Sequence, residues 1–147
     1  MTASAIVDST PGTPPGAAIP SFVKIFVSDL DAAKTFYAAA FAFDDAERYS
    51  TQQFDEIVLR PHGAENGPRI VLCCWKDGRA LELGNARGPI GLRVQDVARA
   101  YQCAISHGAS PVLKPVIYSG MVFAVVRDAD GHSLELIAAV KSSVDPG

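Results

Sequence analysis

The sequence predicts an α+β domain of two tandem βαβββ modules, their strands forming a curved mixed sheet around a central cavity with the helices outside. Three observations carry this. A strand-then-helix pattern occurs twice at a constant offset of 67 residues. Both copies place an aspartate where the helix must begin. After each helix come three further strand-like runs, with hairpin-forming residues between the last two.

Taken in order, residues 1–19 are rich in Pro, Gly, Ala, Ser and Thr, show no hydrophobic period, and read as a flexible tail. The remainder, 20–140, divides into modules of about 20–76 and 86–140. The first opens Phe22-Val-Lys-Ile-Phe-Val-Ser-Asp-Leu30 and the second Pro89-Ile-Gly-Leu-Arg-Val-Gln-Asp-Val97. Helical phase follows in each: Leu30, Ala33, Phe36, Tyr37 and Ala40, then Val97, Ala100, Tyr101, Ala104 and Ile105. Asp29 and Asp96 stand at the N-cap positions, and Gly108 at a C-cap. Further strands are expected near Asp44–Tyr49, Glu56–Arg60 and Arg69–Trp75, then Ser110–Lys114, Met121–Arg127 and Ser133–Ala138. The turns Pro61-His-Gly-Ala-Glu-Asn-Gly67 and Asp128-Ala-Asp-Gly-His132 have hairpin chemistry. The latter is not a calcium loop, because its glycine comes two positions early and no glutamate follows at the twelfth position. Residues 141–147 read as a second tail.

Bulk properties exclude several classes. Apolar residues make up 48% and charged residues 20% of 147 residues, enough for one core without disulfides. A net charge of -3 with no Lys/Arg cluster argues against nucleic acid. No apolar run reaches the roughly 20 residues of a membrane span, and no basic segment precedes an apolar one as in a secretory signal. A cytoplasmic location is therefore expected. Cys73, Cys74 and Cys103 have no zinc-site spacing and read as free thiols.

Strand alternation separates two faces. Val23, Ile25 and Val27, with Ile70, Leu72 and Cys74, should meet a helix, as should Ile90, Leu92 and Val94, and Leu134, Leu136 and Ala138. The opposite face carries Phe22, Lys24 and Phe26; Arg69, Val71, Cys73 and Trp75; Pro89, Gly91 and Arg93; and Ser133, Glu135 and Ile137. So many large apolar groups beside a few charges are expected to line a ligand cavity rather than face water.

Val27-Ser-Asp-Leu-Asp-Ala-Ala-Lys-Thr-Phe-Tyr37 and Arg127-Asp-Ala-Asp-Gly-His-Ser-Leu-Glu-Leu136 resemble the first-helix opening and closing hairpin of the vicinal oxygen chelate superfamily. That superfamily holds glyoxalases, bleomycin-resistance proteins and extradiol dioxygenases. The run Ile70–Ile90 is most similar to glyoxalase I. The resemblance implies four metal-ligand positions, His/Gln, Glu, His/Gln and Glu, which fall on Phe22, Val71, Pro89 and Glu135. Only Glu135 offers a donor, and a catalytic divalent ion normally needs about three protein ligands, so neither metal nor other cofactor is expected. Glu82 lies eleven residues past the ligand position. The family's glutathione contacts fall on Phe26 and Trp75, which makes the implied pocket more apolar.

Two functions stay open. Glu135, facing an apolar cavity, would have its pKa raised by desolvation unless Lys24 or Arg93 pairs with it. It could then transfer a proton on a carbonyl-bearing substrate, in a metal-independent isomerase, epimerase or lyase. Alternatively the chain binds and sequesters an aromatic or hydrophobic compound without chemistry. The expected small-molecule contacts are Phe22, Lys24, Phe26, Val71, Cys73, Trp75, Arg93 and Tyr118, the last on a covering loop, Val116-Ile-Tyr-Ser-Gly120. Tyr49 and Arg60 could line the first module's half, and His132 is expected at the pocket rim. By analogy with the superfamily, the partner is a second copy in a homodimer.

Overall fold

A computed structural model describes residues 12–141. The tail expected over 1–19 lies outside the described residues up to position 11, and positions 12–19 are exposed and irregular. Of the tail expected over 141–147, all but Lys141 lies outside them.

The first module runs β1 (Phe22–Phe26), α1 (Leu30–Phe41), β2 (Phe43–Ser50), β3 (Phe54–Pro61) and β4 (Arg69–Trp75). The second repeats it as β5 (Ile90–Arg93), α2 (Val97–Ser106), β6 (Ser110–Tyr118), β7 (Met121–Arg127) and β8 (Ser133–Ala139). The curved surface is two mixed four-stranded sheets, ordered β1-β4-β3-β2 and β5-β8-β7-β6. In each, the first strand pairs in parallel with the last, because the helix serves as the crossover, and the rest pair antiparallel.

Both helices start where an aspartate side chain accepts an otherwise orphaned N–H. Asp29 accepts from Ala32 at 3.0 Å and Asp96 from Arg99 at 3.1 Å. α1 ends on Ala42 in the left-handed region, φ 58°, where its N–H closes the last turn. α2 caps on His107, one residue before the expected Gly108, which follows at φ +105°.

The helix-facing residues of both sheets fuse into one core. Ile25, Val27, Ile70 and Leu72 of the first module join Leu134, Leu136, Val126 and Ala104 of the second, with Tyr37 fully buried among them. One bond between side chains and two between a side chain and the backbone cross between the modules at the β7–β8 turn. Tyr37 Oη donates to Asp128 Oδ2 at 2.7 Å, His132 Nε2 donates to the Phe26 carbonyl at 2.7 Å, and the Ser28 N–H donates to Asp130 Oδ1 at 3.2 Å. A carbonyl can only accept, so His132 carries its proton on Nε2, and Nδ1 accepts from Arg87 at 3.1 Å.

β6 is longer than the sequence suggested. It runs past Lys114 to Tyr118, with register shifts at Pro111/Leu113 and Leu113/Val116 that let it continue through two prolines. Tyr118, expected in a loop, is therefore a strand residue. It pairs with Met121 across Ser119 and Gly120, both at positive φ, as a tight two-residue hairpin requires. β2 carries one shift, between Asp45 and Glu47.

Candidate functional site

The face of the first sheet turned away from the helices is built by alternation on three strands. Register places Lys24 beside Val71, Val71 beside Val58, Cys73 beside Glu56 and Trp75 beside Phe54. At one end Phe26 stacks on Trp75 with ring centroids 4.3 Å apart and planes 12° from parallel. Phe54 meets both edge-on, at 6.0 and 5.9 Å. The Arg79 guanidinium lies 4.0 Å from the centre of the Trp75 ring. Asp77 holds that guanidinium at 2.6 Å, and Arg79 in turn lowers the Asp77 pKa.

Next to the aromatic group sits a polar triad. Lys24 Nζ is 3.0 Å from Glu56 Oε2, and Cys73 Sγ donates to the same oxygen at 3.2 Å. The bond to Glu56 raises the Lys24 pKa. Burial pushes the Cys73 thiol up to about 12, with the neighbouring carboxylate adding to it. Cys73 is therefore a donor here and not a nucleophile. The expectation that Lys24 could pair with Glu135 is not met, because Glu56 on the adjacent strands' face is nearer. Glu56 was missed in the sequence. Its signal was the alternation Glu56-Ile-Val-Leu59, which puts it opposite the core residues Ile57 and Leu59.

Two cavities open on this face. One, of about 640 Å³, is lined by Phe22, Lys24, Tyr49, Glu56, Arg69 and Val71. Arg69 there meets Glu47 at 3.4 Å, and Glu47 accepts from the Tyr49 hydroxyl. The other, of about 580 Å³, is lined by Lys24, Phe26, Trp75, Arg79, Leu83 and Arg87, with Glu82 at its exposed rim. Lys24 is common to both. Of the expected first-module residues, Phe22, Lys24, Phe26, Val71 and Trp75 thus come together, and Cys73 is buried beneath them.

The second-module residues are placed differently. Glu135 is half-buried on β8 between Gly91 and Val125, and lines neither cavity. Among the described residues it makes no hydrogen bond or ion pair. Arg93 is exposed at the end of β5 and shares a third cavity with Phe22. Tyr118 is 73% exposed at the tip of the β6–β7 hairpin. His132 is buried at the junction of the modules rather than at a pocket rim, because its two ring nitrogens are spent on Phe26 and Arg87.

The four positions that the resemblance assigns to metal ligands carry one carboxylate, Glu135, and three side chains, Phe22, Val71 and Pro89, that are pure hydrocarbon. That donor set does not fit a metal. Among the described residues, no three His, Cys, Asp or Glu side chains group as a metal site would need. Nor is any described helix long and apolar enough to cross a membrane.

A model of the Glyoxalase/Bleomycin resistance protein/Dioxygenase superfamily matches residues 19–136. Among solved structures, glyoxalase I from Zea mays superposes with a TM-score of 0.73 at 19% identity, over 82% of this chain and 44% of that one. The chain thus spans less than half the length of the maize protein. A glyoxylase/bleomycin resistance protein/dioxygenase domain from Frankia sp. EAN1pec gives 0.72 at 18% identity, over 85% of this chain and 100% of that one. The trypanothione-dependent glyoxalase I of Leishmania major gives 0.71 at 20%, over 82% and 86%. No curated protein matches by sequence.

Proposed function

Because the chain belongs to the glyoxalase/bleomycin resistance protein/dioxygenase superfamily, we propose that it uses the superfamily's sheet face to bind a small aromatic or hydrophobic compound, with no metal in the site. One observation carries this reading: the Phe26–Phe54–Trp75 group, with mutual ring distances of 4.3–6.0 Å, in which Phe26 and Trp75 stand where the resemblance to glyoxalase I implies polar contacts. Aromatic walls give a planar ligand apolar burial of about 25 cal/mol per Å², together with quadrupole contacts. The Lys24–Glu56 pair, where the two cavities meet, gives one polar anchor that fixes its orientation.

Trp75 is the only tryptophan, so its emission reports this site alone. Titration with a panel of apolar aromatic compounds should give a saturable change with at least one of them, and Phe26→Ala should weaken it about tenfold or more. A flat response across the panel would refute the reading.

Glu135 supports a second reading, metal-independent proton transfer on a carbonyl compound. It is half-buried and, among the described residues, unpaired, so its oxygens are free to take a proton. If the chain turns over such a compound, Glu135→Gln should abolish turnover and leave binding nearly unchanged. Full activity in that variant removes Glu135 from the chemistry.

A further inference from the structure

The seam between the two sheets runs between their first strands, which do not pair and which both line one cavity. β1 and β5 each end a sheet order, so each has a free edge. The pairing on the other side shows which backbone groups those edges offer. The Ser21 carbonyl accepts from the Arg69 N–H, and the Val27 N–H donates to the Cys73 carbonyl. Odd-numbered residues of β1 therefore serve β4, and Phe22, Lys24 and Phe26 turn their backbone groups outward. On β5 the Val94 N–H donates to the Ile137 carbonyl, so Gly91 and Arg93 turn theirs outward.

One end of this seam is fastened. His132 takes the outward carbonyl of Phe26, and Asp128 and Asp130 accept from Tyr37 and Ser28. The internal repeat puts the β3–β4 turn, residues 62–68, at the corresponding point of the other end. That turn is longer than its counterpart, 128–132, and contains no aspartate. Among the described residues, no hydrogen bond joins it to β5. There the seam opens into a cavity of about 670 Å³, walled by Phe22, Phe41, Phe43 and Leu92. Its charged lining residues are two arginines, Arg69 and Arg93, and no carboxylate lines it. Arg69 is engaged by Glu47, whereas Arg93 makes no ion pair among the described residues.

We propose that the open end of the seam is a second ligand site, for an apolar molecule of drug-like size bearing one anionic group, with Arg93 holding the anion. The volume lies within the range of small-molecule pockets. The walls offer apolar contact to the apolar part. A lone guanidinium without a competing carboxylate selects against cations and favours carboxylate, sulfonate or phosphate heads. The outward N–H groups of β5 stand beside that head. Phe22 and Arg69 line both this cavity and the neighbouring one of about 640 Å³, whereas none of Phe26, Phe54 and Trp75 lines it.

The probe is anilinonaphthalene sulfonate, compared with its uncharged parent phenylnaphthylamine, each followed by its own fluorescence at neutral pH. The native chain should bind the sulfonate saturably. Arg93→Gln should weaken it about tenfold and leave phenylnaphthylamine within twofold. Gly91→Trp should remove the sulfonate, since a Cβ at Gly91 meets no atom within 4 Å and the position lines the cavity. Trp75→Phe, outside this cavity, should leave sulfonate binding within twofold. Circular dichroism melts verify that each variant is folded. Unchanged sulfonate binding in folded Arg93→Gln and Gly91→Trp overturns the proposal. So does loss of binding in Trp75→Phe, which would move the probe to the aromatic face. Binding that weakens as protein concentration rises would assign the cavity to a second copy and overturn it as well.

Discussion

Tyr37→Phe deletes one oxygen and tests how the modules are held together. The Tyr37 side chain is fully buried and its hydroxyl donates at 2.7 Å to Asp128, itself 7% exposed. Asp128 keeps two other bonds, from the Asp130 and His132 N–H groups to its second oxygen. The variant therefore loses one charge-assisted bond while the carboxylate stays buried and partly satisfied, a cost of about 2 kcal/mol. For a domain of this size that lowers Tm by roughly 6–8 °C. Asp128→Ala removes all three bonds and should cost about 3–4 kcal/mol, and adding Tyr37→Phe to it should cost little more.

Burial, then the nearby Asp128 carboxylate, hold the Tyr37 pKa well above its ordinary value of 10.0. The folded state thus favours the neutral phenol. Its contribution is fully present below pH 10 and is lost as pH rises beyond that, when the unfolded chain ionises and the folded chain does not. Urea titrations at pH 7 and across pH 9–11 measure both effects. Tyr37→Phe should flatten the alkaline decline. A loss below about 0.5 kcal/mol at pH 7, with an unchanged alkaline slope, would refute the view that this bond fastens the modules.

Two further outcomes are expected. Ala42→Gly should stabilise by about 0.5–1 kcal/mol in the same titration, because Ala42 holds φ 58° where glycine has no Cβ penalty. Cys73, with its thiol at about 12 and no exposed surface, should resist a thiol-specific disulfide reagent at pH 8 in the folded chain and react once urea unfolds it.

The fold was legible because periodicity and caps are local. Asp29 and Asp96 state where each helix begins, and the two-residue alternation of Val23-Lys-Ile-Phe-Val27 states which side is core. The site was less so, because it depends on register between strands that are distant in sequence. Glu56 and Lys24 lie on different strands of one sheet, and only the pairing of β4 with both brings their side chains within 3.0 Å. Glu135 and Arg93 were read as neighbours of Lys24 by face alone, but face does not specify which sheet. His132 looked like a turn residue because hairpin chemistry is visible in sequence, whereas a carbonyl 106 residues away is not. β6 was cut short at Lys114 because proline usually ends a strand, and two register shifts absorb it here.

Those shifts bear on how the chain behaves in a crowded solution. The outer edges of the two sheets are β2 and β6. β2 presents Asp44, Asp45, Glu47 and Arg48 along its length, and a bulge breaks its line. β6 carries Pro111, Lys114 and Pro115, with its ladder interrupted twice. Neither offers the flat, unbroken row of hydrogen-bonding groups that a foreign strand needs to add itself. The irregularities that hid the length of β6 from its sequence also deny a foreign strand a continuous ladder along that exposed, partly apolar edge.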